Sequence, residues 1–197
     1  VNTGQPVFDA ASTGGAAFTS SVTLSHATAA GTDRCLIVGV SLQHSSGTGL
    51  QPTGVTYNGV AMTQVVAAQQ NSSNCFNSSI WRLVAPATGT NDVVVTFAAS
   101  RDSVQVGAMT WTNVDQTTPV GTGVYAQNGG AANPTVSVAA TKGGVVVDNV
   151  AGGNAITGTG ASQTERWNGN PSGTLEAGTG SSEPAGSTDV TVTMSHT

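Results

Sequence analysis

Lysine is almost missing from this chain: Lys142 is the single one in 197 residues, and four scattered arginines complete the basic set. Charged residues of both signs make up only 8% of the chain, against a globular norm of roughly a quarter. With a formal net charge of −5 and no basic cluster to release counterions, nucleic acid is excluded as a partner. Anionic membrane surfaces are disfavoured for the same reason, and no apolar run approaches the roughly 18–20 residues of a spanning helix. Good helix formers are scarce, with six leucines and three glutamates, while valine, threonine, serine and glycine abound, which points to strands and turns. Disorder is not expected, because the 38% of hydrophobic residues arrive in period-two pattern and like charges never run together. The chain opens at Val1 without a charged-then-apolar leader, which reads as a processed or excised segment. Lysine poverty beside Ser/Thr/Asn/Gly richness is the usage of secreted proteins, so an extracellular or cell-surface location is expected.

Chemistry-bearing residues are equally sparse. The histidines His26, His44 and His196 are dispersed and stand in no GxSxG or HExxH context. Carboxylates such as Asp33, Asp92, Asp102, Asp115 and Asp148 are spaced one by one, mostly beside Gly, Thr, Asn or Pro, where a carboxylate caps a turn. No two of them sit two apart on a strand face as a glycosidase pair often would. The expectation is therefore no enzyme, no cofactor and no metal. The two cysteines, Cys35 and Cys75, lie 40 residues apart without a CxxC pair. They read either as buried thiols acting as small hydrophobes or as one disulfide. The extracellular composition favours the disulfide, which would close a long loop and stabilise by about 3–4 kcal/mol.

What the chain does have is a succession of short amphipathic strands. The stretch from Ser79 to Phe97 carries an apolar run with Trp81, a Pro86-Ala87-Thr88-Gly89 turn, and then Val93, Val95 and Phe97 alternating with Asp92, Val94 and Thr96. That is the pattern of two strands in a half-buried antiparallel sheet. Phe18–Ser25 alternates in the same way, and Arg34–Leu42 is apolar on both faces, as in the middle of a packed sheet. Asn58-Gly59 between Val55-Thr56-Tyr57 and Val60-Ala61-Met62 predicts a type I′ hairpin. Further strands are expected over 104–111, 135–138, 144–150, 164–167 and 189–195. About ten short strands predict an all-β, antiparallel two-sheet sandwich, jelly-roll-like. Residues 1–17 read as an N-terminal lead-in and 18–197 as one sandwich domain.

Four of these stretches together resemble a family of secreted bacterial β-sandwich domains that recur in surface, adhesin-like and multidomain extracellular proteins. They are Val55-Thr56-Tyr57-Asn58-Gly59-Val60-Ala61-Met62, Ile80-Trp81-Arg82-Leu83-Val84-Ala85-Pro86-Ala87-Thr88-Gly89-Thr90, Val114-Asp115-Gln116-Thr117-Thr118-Pro119 and Ser182-Glu183-Pro184-Ala185-Gly186. The resemblance covers nearly the whole chain and implies a fold rather than an activity, since the family shares no catalytic residues. Two departures stand out. Cys35 takes a usually aliphatic position, and family members continue past the strand equivalent to Val190–Ser195 with one more apolar strand. Either the chain is cut there or something else completes the sheet.

A sandwich short of one strand exposes an apolar groove and an unpaired edge, which invites a strand from a neighbour. The expected function is therefore a non-catalytic structural subunit of a surface filament or layer, assembling by strand complementation with copies of itself or neighbouring surface proteins. Pro6, Val7 and Phe8 in the lead-in are the expected donor strand. The other reading is a carbohydrate-binding or adhesive module, with Trp111, Trp167 and Tyr125 stacking on a polysaccharide. Asn71 and Asn77 each satisfy the N-glycosylation acceptor pattern.

Overall fold

The computed structural model describes residues 4–45, 47–70, 74–127, 133–171, 177–188 and 190–197, and among them there is no helix. The described residues form thirteen strands: β1 (Val7–Thr28), β2 (Cys35–His44), β3 (Gly54–Tyr57), β4 (Val60–Ala61), β5 (Thr63–Ala68), β6 (Cys75–Val84), β7 (Gly89–Thr112), β8 (Thr135–Ala140), β9 (Val145–Val147), β10 (Val150–Gly152), β11 (Thr164–Gly169), β12 (Ala177–Pro184) and β13 (Val190–Ser195). All pair antiparallel, in sheets of seven, four and two strands. The all-β antiparallel expectation holds, although the strands are distributed over three sheets.

The seven-stranded sheet is built on β7. This 24-residue strand is read from sequence as two, because Ala98, Ala99 and Ser100 are exposed and break the apolar alternation. The structure keeps them within one strand, although the pairing with β1 jumps from Arg101 to Thr96 across them. Arg101, buried to 3% exposure, donates from Nε to the Leu50 carbonyl (2.9 Å) and from Nη1 to the carbonyls of Ala99 and Ser100, which ties down the bend. One side of β7 pairs with β1 before and after the bend, and the other pairs with β3 before it and β2 after it. The sheet curls into a nearly closed barrel around Leu36, Val38, Val40, Leu42, Tyr57, Val93, Val95 and Val106. As its two-faced apolarity implies, β2 is buried on both sides, and Asn58-Gly59 makes its hairpin with φ of 49° and 75°.

One correction concerns the N-terminus. It is not a free lead-in: β1 runs unbroken from Val7 to Thr28, with Val7 opposite Thr112 and Phe8 opposite Trp111. Phe8 packs edge-on against Trp111 at 5.4 Å, and the Arg166 guanidinium lies 3.8 Å from its ring centre. Val7 and Phe8 thus belong to the chain's own sheet in this conformation, with Pro6 immediately before it.

The face of β2 and β7 turned away from the barrel carries the four-stranded sheet, β9 and β10 against β12 against β11. Gly39 and Gly107 are cross-strand partners there, and the Trp167 indole of β11 lies on both, with Gly180 of β12 beside it. A Cβ at any of the three would overlap the ring. Tryptophan burial and glycine placement therefore form one unit, and Trp167 joins Ile37, Met109 and Trp111 in a second apolar cluster. The two-stranded sheet, β13 on β8, buries Val192 and Met194 against Val146 of β9.

Two predictions follow from this packing. Gly107→Ala must displace Trp167 and should lower stability by about 1–3 kcal/mol, while Trp167→Ala should cost about 3–5 kcal/mol. Denaturant midpoints at the wild-type value would contradict the tile. The second concerns His26, fully buried with Ser12 Oγ on Nδ1 (3.0 Å) and Thr110 Oγ1 on Nε2 (2.6 Å). Burial holds its pKa below the ordinary 6.5, against the opposing charge of Asp9. The unfolded chain takes a proton near 6.5 that the native state refuses, so this contribution is full above that pH and is lost as pH falls. The melting temperature should drop between about pH 7 and about pH 5, and His26→Gln should flatten that slope; equal slopes would remove His26 from the acid response.

Candidate functional site

Nearly all of β9 ends in a junction. Sequence alternation over 144–150 predicts one strand, but the ladder to β12 breaks at Asp148 and Asn149. One backbone bond remains there, from the Asp148 N–H to the Ser181 carbonyl (3.1 Å), and side chains reinforce it. Asp148 Oδ1 accepts the Ser181 N–H at 2.7 Å and the Ser181 hydroxyl at 2.8 Å. Asn149 donates from Nδ2 to Ser78 Oγ (2.8 Å), Ser78 Oγ donates to the Asn149 carbonyl (2.8 Å), and Ser41 Oγ donates to the Val150 carbonyl (2.8 Å). These bonds tie the four-stranded sheet to β2 and β6.

Asp148 also reaches the last strand. Its Oδ2 lies 2.6 Å from His196 Nε2, with exposures of 7% and 1%. Gln163 braces the pair, donating to Ser181 Oγ (2.7 Å) and, more weakly, to Asp148 Oδ2 (3.4 Å), while its Oε1 accepts the Ser195 N–H (2.7 Å). Every oxygen of Asp148 is therefore occupied. His196 Nδ1 has no partner.

That histidine lines a cavity of about 990 Å³, at the upper end of the range for small-molecule sites. Ile37, Phe76 and Ile80 of β2 and β6 line it, as do Val136 and Val138 of β8, Val145 and Val147 of β9, and the segment 113–127. Trp111 also lines it, and its Nε1–H is likewise without a partner in the protein. The lining is more apolar than polar, with Gln70, Asn113, Asn149 and Asn154 among its polar side chains. Apart from Asp148 and His196, the charged lining residues are Asp115 and Lys142.

Several sequence expectations are corrected here. Cys35 and Cys75 are buried and are not joined by a disulfide. In the β2–β6 ladder Cys35 faces Val84 and Cys75 faces His44, which separates them by almost the whole ladder, roughly 30 Å at ~3.3 Å per residue. A disulfide needs Cα atoms within about 7 Å. They also belong to different apolar clusters, and burial pushes the Cys35 thiol up to about 11. Trp111 and Trp167 are 6% and 3% exposed, so neither offers a face to a sugar ring; Tyr125, at 62% exposure, is the one exposed member of that trio. Asn77 is fully buried, its Oδ1 accepting the Gln70 N–H at 2.6 Å, which leaves no room for a glycan in the folded chain. Asn71 lies outside the described residues.

The turn-capping role expected of the carboxylates is seen at Asp115. Asp115 Oδ1 accepts the N–H groups of Thr117 and Thr118 at 2.8 Å, which lowers its pKa. Asp9 and Asp102 instead accept backbone N–H groups distant in the chain, of Ala29 (2.9 Å) and Ser45 (2.7 Å). Beyond capping, the fold brings Asp102 to His44 (3.0 Å) and Asp148 to His196. Sequence spacing gives no sign of either pair, because each joins strands distant in the chain. Ser181 sits on Asp148 and not on the imidazole, so Ser181, Asp148 and His196 are not in the order of a nucleophile–base–acid relay. Among the described residues no three potential metal ligands cluster. No protein-family model, curated protein or solved structure matches this chain.

The cysteine geometry has a direct readout. Without reductant, two thiols per chain should react with Ellman's reagent once the protein is denatured. Cys35, held protonated at neutral pH, should react slowly in the native state. Two unreactive cysteines in denaturant would reinstate the disulfide.

Proposed function

We infer that the protein is a non-catalytic structural subunit, working at the cell surface or outside the cell, that assembles by exchanging the N-terminal arm of β1 between copies. The observation that carries this reading is the hinge in β1 at Phe18. A bulky residue in mid-strand stands at φ 50° with 73% of its surface exposed, a conformation that costs of order 1–3 kcal/mol. A register shift follows at once, between Thr19 and Ser21, opposite the bend of β7. On the N-terminal side of the hinge, the arm Val7–Ala17 pairs with β7 on one side only.

If Phe18 relaxes to an extended φ, β1 straightens and the arm leaves its own β7. The same positions on a second copy can receive it: Phe8 on Trp111 under Arg166, and Val7 beside Thr112. Closed and exchanged forms then share their contacts, and relief at the hinge tips the balance. Head-to-tail exchange does not close on itself and gives a filament, so Pro6, Val7 and Phe8 act as donor through exchange and not as a free tail. In this reading the fold is a jelly-roll-like sandwich completed between neighbours. The low charge and lysine poverty suit a protein that packs against copies of itself.

A crosslink tests this without truncation. With Val7→Cys and Thr112→Cys oxidised before concentration, the chain should stay a 19.4 kDa monomer, and reduction should release polymers visible by negative-stain electron microscopy. Phe18→Gly, which removes the strain, should reduce assembly by roughly tenfold. A wild-type protein that stays monomeric at high concentration, or polymers that form with the crosslink closed, would overturn the reading.

A further inference from the structure

One edge of the seven-stranded sheet is bare. Among the described residues β1 pairs only with β7, so beyond the hinge, over 20–28, its other edge faces outward. The β5 side of the sheet differs, since Gly123 lies close to Val66 and to the Val65 carbonyl. Which residues of β1 present the bare edge follows from β7. The carbonyls of Asp92 and Thr96 accept the N–H groups of Asn58 (3.0 Å) and Thr53 (2.8 Å), so both residues turn their backbone toward β3 and away from β1. Their partners across the ladder are Ser25 and Ser21. Alternation in an antiparallel ladder then points the N–H and C=O groups of Ser21, Thr23, Ser25 and Ala27 out of the edge. Ser21 is capped: its N–H donates to Thr19 Oγ1 (3.1 Å), and its carbonyl accepts that hydroxyl (2.7 Å). Past the strand end, the Ala29 N–H donates to Asp9 Oδ2 (2.9 Å). Between the two caps stand Thr23, Ser25 and Ala27, all exposed, with no described partner in the chain for these outward groups.

We propose that this edge is a two-fold interface for a second copy of the chain, β1 against β1 in antiparallel pairing with Ser25 on the axis. In that register Ser25 faces Ser25 of the second copy and Thr23 faces its Ala27. Uncapped residues then meet only uncapped residues, and each facing pair exchanges two N–H···O bonds. A slip by two residues either way would set a free residue against capped Ser21 or against Ala29. The order of free and capped positions reads the same in both directions from Ser25, which is what an isologous contact needs and a foreign strand does not. The edge also lacks the guards that keep β edges apart: 20–28 contains no lysine, proline or carboxylate, and its one ionisable side chain, His26, is buried. Asp92, opposite Ser25 on β7, stays one strand back from the axis, so no like charges meet directly across it. A contact of so few residues is far below the size of a permanent interface; the dimer is transient, and the isolated chain in bulk is a monomer. The contact does not depend on arm exchange. Where subunits are held in a row, it repeats and adds up, joining rows side by side.

Single cysteines and a short bismaleimide read the register of a transient dimer, because the native Cys35 and Cys75 are buried. Ser25→Cys should link to itself about tenfold faster than Thr23→Cys or Ala27→Cys, whose copies stand far apart along the strand in this register. Mixed together, the Thr23→Cys and Ala27→Cys chains should link to each other about as fast as Ser25→Cys links to itself. Ser25→Pro removes an N–H that has no partner in the chain, as an edge strand tolerates; added to both of those chains, it should abolish their mutual linkage. Equal rates at the three positions, or faster self-linkage of Thr23→Cys, would overturn the proposal. An edge that takes only a strand of another protein would leave Ser25→Cys unlinked, which overturns it too. The three cysteine substitutions fall on exposed side chains, so this comparison stands even where Ser25→Pro fails to fold. Linkage that persists in a Ser25→Pro chain with wild-type circular dichroism would overturn the edge pairing.

Discussion

One indole lying on glycine holds the architecture together. The barrel turns a flat face outward where Gly39 and Gly107 meet across β2 and β7, and only a surface without Cβ atoms lets the Trp167 ring approach that closely. Trp167 is carried by β11, which reaches the rest of its sheet through Gly180 of β12, so the contact fixes the four-stranded sheet over the barrel. Around it the polar bonds take their places: Asn149 to Ser78 and Ser79, and Ser41 to Val150. The hydrophobic gain of burying a tryptophan is large, and the glycine tile determines where that gain can be collected.

The same contact shapes the edges of the molecule. Between Glu165 and Trp167 the ladder slips by one residue, and the bulge turns Arg166 toward Phe8 and Trp111 while its Nε donates to Ser182 Oγ. A bulge that re-aims one side chain is a common device of sheets, and here it places a cation over the aromatic pair that seats the N-terminal arm. The arm's attachment and the packing of the outer sheet are thus joined through adjacent residues, Arg166 and Trp167.

The cavity exists because the third sheet stands apart. β8 and β13 pair only with each other as strands, and β9 divides its valines, Val146 toward Val192 and Met194, Val145 and Val147 toward the Trp167 cluster. Asp148 follows at the end of that strand and reaches both β12 and His196, so the polar feature of the cavity and the link between sheets are one residue.

What the sequence determined by itself was local. Alternation and composition specify antiparallel strands, Asn58-Gly59 specifies its hairpin because both positions need positive φ, the two-faced apolarity of Arg34–Leu42 specifies a central strand, and Asp115 specifies its turn through its own side chain. Each depends on residues within a few positions of one another. What only the tertiary structure decided depends on residues far apart in the chain: the continuity of β7 through Ala98–Ser100, held by Arg101 and Leu50; the union of the lead-in with β1; the distance between Cys35 and Cys75; the burial of Trp111 and Trp167; and the meeting of Asp148 with His196. Composition carries no register, and a one-residue change in pairing decides which side chain faces solvent and which faces a partner from another strand. That is why the class of fold was legible in the letters, and why the residues facing the cavity were not.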